Sequence, residues 1–145
     1  MARTSTYLNF MGRTEEAFEF YRGVFEAEYA APIARMGDVP AQPGMPPLPE
    51  ADKKKVMHVA MPILGGHMLM GTDTLESMGH TLTVGNNVNI NLEPDTREEA
   101  DRLFGALSQG GKVSMPMADM FWGDYFGSLT DKFGICWMVN CSSKK

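Results

Sequence analysis

Trp122-Gly123-Asp124-Tyr125-Phe126-Gly127-Ser128-Leu129-Thr130-Asp131-Lys132-Phe133-Gly134-Ile135-Cys136-Trp137-Met138-Val139-Asn140 reads as two β-strands joined by a tight turn. The turn falls at Asp131 to Gly134. An Asp side chain can accept from backbone amides just beyond it, and Gly134 can adopt a positive φ that Phe133 could not. Upstream, residues 112–118 form a strand interrupted by Pro116, which places it at an edge or a bulge. A helix runs before it from about 96 to 108, with Ala100, Leu103, Phe104 and Leu107 as its apolar stripe and Gly110-Gly111 at its end. Residues 86–92 alternate cleanly: Asn87, Asn89 and Asn91 on one face, Val88, Ile90 and Leu92 on the other.

The first half repeats this order. A strand at 6–11 precedes Gly12, Thr14 is an expected helix N-cap, and Glu15 and Glu16 suit the first turn. Ala17, Phe18, Phe20, Tyr21, Val24 and Phe25 form the apolar side of a helix, and a strand is expected at about 28–36. Val56 to Ile63 and His67 to Thr72 read as a hairpin closed by a two-residue Gly65-Gly66 turn. The halves also match by residue. Asn9-Phe10 followed by Glu15-Glu16-Ala17 echoes Asn91-Leu92 followed by Glu98-Glu99-Ala100, and Gly66-His67-Met68-Leu69-Met70 echoes Gly134-Ile135-Cys136-Trp137-Met138. A repeat of roughly 70 residues, present twice, is too long and too few for a solenoid. The expected fold is α+β: two βαβββ modules forming a cupped mixed β-sheet flanked by helices. Module 1 spans about 5–73 and module 2 about 84–141, within a single domain of 1–145.

Within module 1, residues 37–55 carry Pro40, Pro43, Pro46, Pro47 and Pro49, which forbid regular structure. So long a loop reads either as a binding lid or as a plain excursion. The formal net charge of -5 and pI near 5.1 argue against a nucleic-acid partner. No apolar run reaches the roughly 20 residues of a membrane span, and the N-terminus has no apolar signal core, so cytoplasm is the expected compartment. Cys136 and Cys141 lie along one strand and are expected to be reduced thiols.

The pattern W-G-D-x-x-G-S-x-T-D-x-F-G-x-x-W-M at 122–138, with Lys55-Val56-Met57-His58, resembles PhnB-like proteins of the vicinal oxygen chelate superfamily. That superfamily is also called glyoxalase/bleomycin resistance/dioxygenase. The resemblance implies the two-module fold and exposed sheet edges that commonly make a homodimer. It also implies a divalent metal held by one ligand from the first and last strand of each module. Carried over, those positions fall near Tyr7, Met70, Asn87 and Met138. Two thioethers, an amide and a phenol suit no such cation, so no metal cofactor is expected. The family's ubiquinone methyltransferase label needs S-adenosylmethionine on a glycine-rich loop, and only Gly12 follows the first strand. That label is discounted here.

What remains is a pocket for a small, partly apolar molecule. Methionine is abundant, at 13 of 145 residues, and a thioether adapts to varied apolar ligands. By strand phase Met57, Met61, Met68, Met70 and Met138 face the cup. The expected ligand-binding set is Tyr7, Asn9, Met57, Met70, Asn87, Asn89, Trp122, Tyr125 and Met138. With a two-residue turn, His58 pairs across the hairpin with Asp73, a candidate catalytic couple, while His67 and His80 face solvent. The alternative function is a metal-dependent lyase, isomerase or dioxygenase with His58 and either Asp73 or Glu76 as ligands.

Overall fold

The computed structural model describes residues 1–40 and 42–142, in two compact units that divide after Thr83. Unit 1 contains β1 (Thr6–Phe10), α1 (Thr14–Phe25), β2 (Ala34–Arg35), β3 (Val56–Pro62) and β4 (Met68–Asp73). Unit 2 contains β5 (Ile90–Leu92), α2 (Arg97–Leu107), β6 (Lys112–Asp119), β7 (Tyr125–Thr130) and β8 (Cys136–Cys141). The sheet orders are the same, β1-β4-β3-β2 and β5-β8-β7-β6, with the first pair of each parallel and the rest antiparallel. Both modules are therefore βαβββ, and the chain is α+β as its repeat predicts. No helix is long and apolar enough to cross a membrane among the described residues.

The closing hairpin is built as its residues demand. The Gly134 amide donates to the Asp131 carbonyl at 3.0 Å and the Asp131 amide donates to the Ile135 carbonyl at 2.8 Å. Gly134 sits at φ 92°, where a side chain would be strained, and a Cβ there would lie 2.9 Å from Val84 Cγ1. The buried Asp131 carboxylate accepts from the Phe133 and Ile135 amides at 2.8 and 3.0 Å and from Trp137 Nε1 at 2.8 Å. Turn and core are thus joined through one side chain, because Trp137 is fully buried in the centre of its sheet.

Alternation assigns the two faces of each sheet. In unit 1, Leu8, Phe10, Val59, Met61 and Leu69 are buried on the side of α1, together with Phe18 and Tyr21 of that helix. Met61 is fully buried there, so it does not share a face with Met68 and Met70. In unit 2, Leu92, Leu129, Trp137 and Val139 bury against the α2 stripe of Ala100, Leu103, Phe104 and Leu107. Burial at about 25 cal/mol per Å² of apolar surface is the main force holding each helix to its sheet.

Several elements differ from their expected bounds. The strand at 28–36 reduces to Ala34–Arg35, and the one at 86–92 to Ile90–Leu92. α1 begins at Thr14 with Arg13 in the cap position, so Thr14 is not the N-cap; its amide and hydroxyl instead donate to Asp73. Thr96 does cap α2, accepting from the Glu99 amide at 3.1 Å. β6 is an edge strand with register shifts around Met115, in line with the proline beside it. Cys136 and Cys141 are both free thiols.

The β3–β4 turn brings the largest correction. Residues 64–66 form a 3₁₀ turn, with the Ile63 amide donating to the His67 carbonyl at 2.8 Å. The loop is one residue longer than a Gly65-Gly66 turn, and the pairing runs Pro62 to Met68 through Val59 to Gly71. Shifting a strand register by one residue moves every side chain to the other face. The expected His58–Asp73 couple therefore does not form.

Candidate functional site

In unit 1 the face turned away from α1 carries Tyr7 and Asn9 from β1, Met68, Met70 and Thr72 from β4, and Ala60 from β3. Tyr7 stands beside Met70, and Met70 beside Ala60. The Tyr7 hydroxyl lies 3.0 Å from His58 Nδ1 and the two rings stand 5.7 Å apart, which puts His58 on this face too. Burial of the phenol raises the Tyr7 pKa above its ordinary value, so near neutral pH it is a hydroxyl and not a phenolate. Ser5 Oγ reaches the Met70 sulfur at 3.9 Å. Asn9 is exposed opposite Thr72, and Met57, next to His58, is 36% exposed.

Asp73 is on the opposite side. It is buried, with Oδ1 accepting from the Thr14 amide at 3.1 Å and the Thr14 hydroxyl at 2.7 Å, and Oδ2 accepting from the Val56 amide at 2.8 Å. Its partners are the start of α1 and the start of β3, and no imidazole reaches it. The other histidines are also engaged. His67 Nε2 lies 2.8 Å from the Thr6 hydroxyl on a half-buried side chain, a departure from the solvent-facing position expected of it. His80 is exposed and its Nδ1 accepts from the Leu75 amide.

In unit 2 the corresponding face centres on Met138. Asn91 stands beside it on β5 and Ser128 on β7. Asn87 and Asn89, expected on this strand, both precede β5 and are exposed, so Asn91 occupies the place assigned to Asn87 beside Met138. Tyr125 belongs to the helix side. It shares the phase of Gly127 and Leu129, its hydroxyl donates to Asp101 of α2 at 2.6 Å, and the Arg97 guanidinium lies 4.3 Å over its ring. The Asp101 carboxylate, and then burial, hold the Tyr125 pKa above its ordinary value. Phe126, Ser128 and Asn140 share the Met138 face instead, and Trp122, half exposed, meets the Phe126 ring at 6.1 Å. Gly127 and Leu129 alternating as inward residues are the sequence signal that would have placed Phe126 and Ser128 on this face.

The two faces thus carry matching rows, Tyr7–Met70–Ala60 and Asn91–Met138–Ser128. As a metal donor set they are a phenol, two thioethers, an amide and a hydroxyl with no carboxylate, and the one imidazole beside them, His58, meets the Tyr7 hydroxyl. Among the described residues no group of three or more His, Cys, Asp or Glu side chains is placed to hold a metal ion. The rows do not fit that cofactor.

A sequence profile of the family described as 3-demethylubiquinone-9 3-methyltransferase matches residues 2–140. The chain belongs to this family. It is PhnB-like, and its two βαβββ modules have the fold of the vicinal oxygen chelate superfamily. Protein YjdN of Escherichia coli (strain K12) is 31% identical over 146 residues, covering 94% of this chain and 92% of that protein. The crystal structure of PA1353 from Pseudomonas aeruginosa aligns over 98% of each chain at 34% identity with a TM-score of 0.82. A PhnB protein structure from Bacillus cereus aligns over 97% of this chain and all of that one at 27% identity, TM-score 0.74. A glyoxylase/bleomycin resistance protein/dioxygenase domain from Frankia sp. EAN1pec, at 8% identity and TM-score 0.66, shares the fold. The family description names a methyl transfer, yet neither sheet is a doubly wound parallel one and a single glycine, Gly12, links β1 to α1. That is not a cradle for S-adenosylmethionine.

Proposed function

We propose that this PhnB-like protein binds a small, partly apolar molecule against the helix-distal strand faces without using a metal ion. The observation that carries this is the pair of matching rows with Met70 and Met138 at their centres. Thioethers supply polarizable apolar surface, while Tyr7, Asn91 and Ser128 supply hydroxyl and amide groups that orient a ligand. A carboxylate at either methionine would leave an unpaired charge facing the ligand. Met70→Glu on the unit 1 face, or Met138→Glu on the unit 2 face, is expected to weaken binding of an aromatic metabolite by at least about tenfold. Tyr125→Phe, altered on the helix side, changes it less than twofold. Isothermal titration in the presence of EDTA measures both, and equal losses from all three variants would remove the proposal.

A second reading rests on the 3.0 Å contact between His58 Nδ1 and the Tyr7 hydroxyl, which can pass a proton between imidazole and phenol. Activity that survives His58→Ala undiminished would exclude it.

The protein is further proposed to act as a homodimer. β6 is an open edge, with Val113 and Met115 about half exposed, and Phe121 beyond it is 97% exposed. Apolar surface of this kind is commonly covered by a second protein surface. Native mass spectrometry is expected to show a dimer, and Met115→Asp to shift it towards monomer; a wild-type monomer at micromolar concentration would contradict this.

A further inference from the structure

A cavity of about 590 Å³ lies in unit 1, and Tyr7, Met70 and Ala60 take no part in its lining. Val39, Met45, Leu48, Leu75 and Met78 line it, with Lys53 at its side. One wall is the proline-bearing run after a 3₁₀ turn at Met36–Asp38, and the other comes from the 3₁₀ turn at Glu76–Met78.

Both walls are tied to the same short segment, residues 50–55. The Met36 amide donates to the Lys55 carbonyl and the Gly37 amide to the Lys53 carbonyl, each at 2.9 Å. Gly37 permits that approach, since a Cβ there would lie 3.0 Å from the Lys53 carbonyl oxygen. On the other side Ser77 Oγ donates to the buried Asp52 carboxylate, which also holds Lys55 Nζ at 2.8 Å. Lys55, and then Ser77, keep the Asp52 carboxyl below its ordinary pKa, so the tie is charged at neutral pH. Pro40, Pro46 and Pro47 line the same wall with fixed φ, which lowers the entropy lost when a ligand orders it.

The volume lies within the usual range of small-molecule sites, and the lining is chiefly methionine, proline, leucine and valine. Among the described lining residues Lys53 is the one ionisable group. Its partner Glu50, 2.8 Å away, is 88% exposed, and so exposed a pair holds its ammonium weakly. The cation can turn to an anion entering the groove. We infer that this groove is a second binding site, selective for an apolar molecule carrying one acidic group, with the apolar body against Met45, Leu48, Leu75 and Met78 and the acid at Lys53.

The probe is 8-anilinonaphthalene-1-sulfonate, an aromatic body with one sulfonate, titrated into the folded 145-residue chain. One saturable site with enhanced, blue-shifted fluorescence is expected. Val39 and Met45 are 42% and 58% exposed, so charges there leave the core intact. Val39→Glu and Met45→Glu are each expected to weaken the probe by at least about tenfold, with unchanged circular dichroism and melting. Lys53→Ala is expected to weaken the sulfonate several-fold but to leave the uncharged N-phenyl-1-naphthylamine unaffected. Met70→Glu and Met138→Glu should leave the probe's affinity unchanged, which separates this site from the strand faces. Wild-type affinity in Val39→Glu and Met45→Glu, loss only in the strand-face variants, or no saturable binding would each overturn the inference. Equal loss of both probes in Lys53→Ala would overturn its acid selectivity.

Discussion

Asp131→Ala is expected to destabilise the protein by about 4 kcal/mol, and to lower its melting temperature by roughly 10 °C. The Asp131 carboxylate accepts from the Phe133 amide, the Ile135 amide and the Trp137 indole, all within a closing hairpin whose Trp137 is fully buried. Truncation leaves those donors without their acceptor, and the cost of an unmet buried donor exceeds the net gain of an ordinary hydrogen bond. Against a typical total stability of about 5–15 kcal/mol, such a loss is large. Asp131→Asn should fall between wild type and alanine. Its carbonyl can still serve the two amides, but its NH₂ then faces the indole N–H. Urea denaturation of the three proteins measures the order. A loss below about 1 kcal/mol for alanine would mean that the hairpin is held by packing alone.

Asp73→Ala is expected to cost about 3 kcal/mol and to leave ligand affinity of the folded protein within twofold. This residue reads from the sequence as half of a catalytic couple. In the structure its oxygens serve the Thr14 amide and hydroxyl and the Val56 amide, fastening the first turn of α1 and the start of β3 to the end of β4. A helix N-terminus leaves its first amides without intrahelical partners, and a buried carboxylate meets that need well. Asparagine should fall between, since its carbonyl can still serve the Thr14 amide and hydroxyl while its NH₂ then faces the Val56 amide. A variant of normal stability with lost binding or lost activity would restore the chemical role.

The two-module organisation was legible because period, turn chemistry and repetition agreed. Alternation in 125–141, the Asp131–Gly134 turn and the α2 stripe all pointed to one answer, and the same order in the first half extended it to the whole chain. Register was not legible. Gly65-Gly66 resembles a two-residue turn, yet Leu64 joins it, and that one residue separated His58 from Asp73. The phase of Met61 was misjudged as well: it lies fully buried on the helix side. Alternating asparagines promised a strand from 86, but pairing starts at Ile90, because strand pattern does not say where a partner begins. Tyr125 was assigned by its aromatic character, whereas its phase with Gly127 and Leu129 already placed it on the helix side. The rows around Met70 and Met138 were half read. Tyr7, Met70, Asn91 and Met138 lie on the strand phase that alternation gave them, while Ser128 joined the Met138 row only with the pairing of β7 and β8.

Methyl-carbon-13 methionine NMR in EDTA tests the central claim most directly. Met70 lies on the helix-distal face of unit 1 and Met138 on that of unit 2, whereas Met61 is fully buried on the helix side and serves as the internal control. On titration with a panel of aromatic metabolites, at least one compound is expected to shift the Met70 or the Met138 methyl signal saturably, with Met61 unmoved and no metal added. Shifts that appear only after Mn²⁺, Ni²⁺ or Zn²⁺ is supplied, or that leave Met70 and Met138 untouched, would contradict a metal-independent binding face.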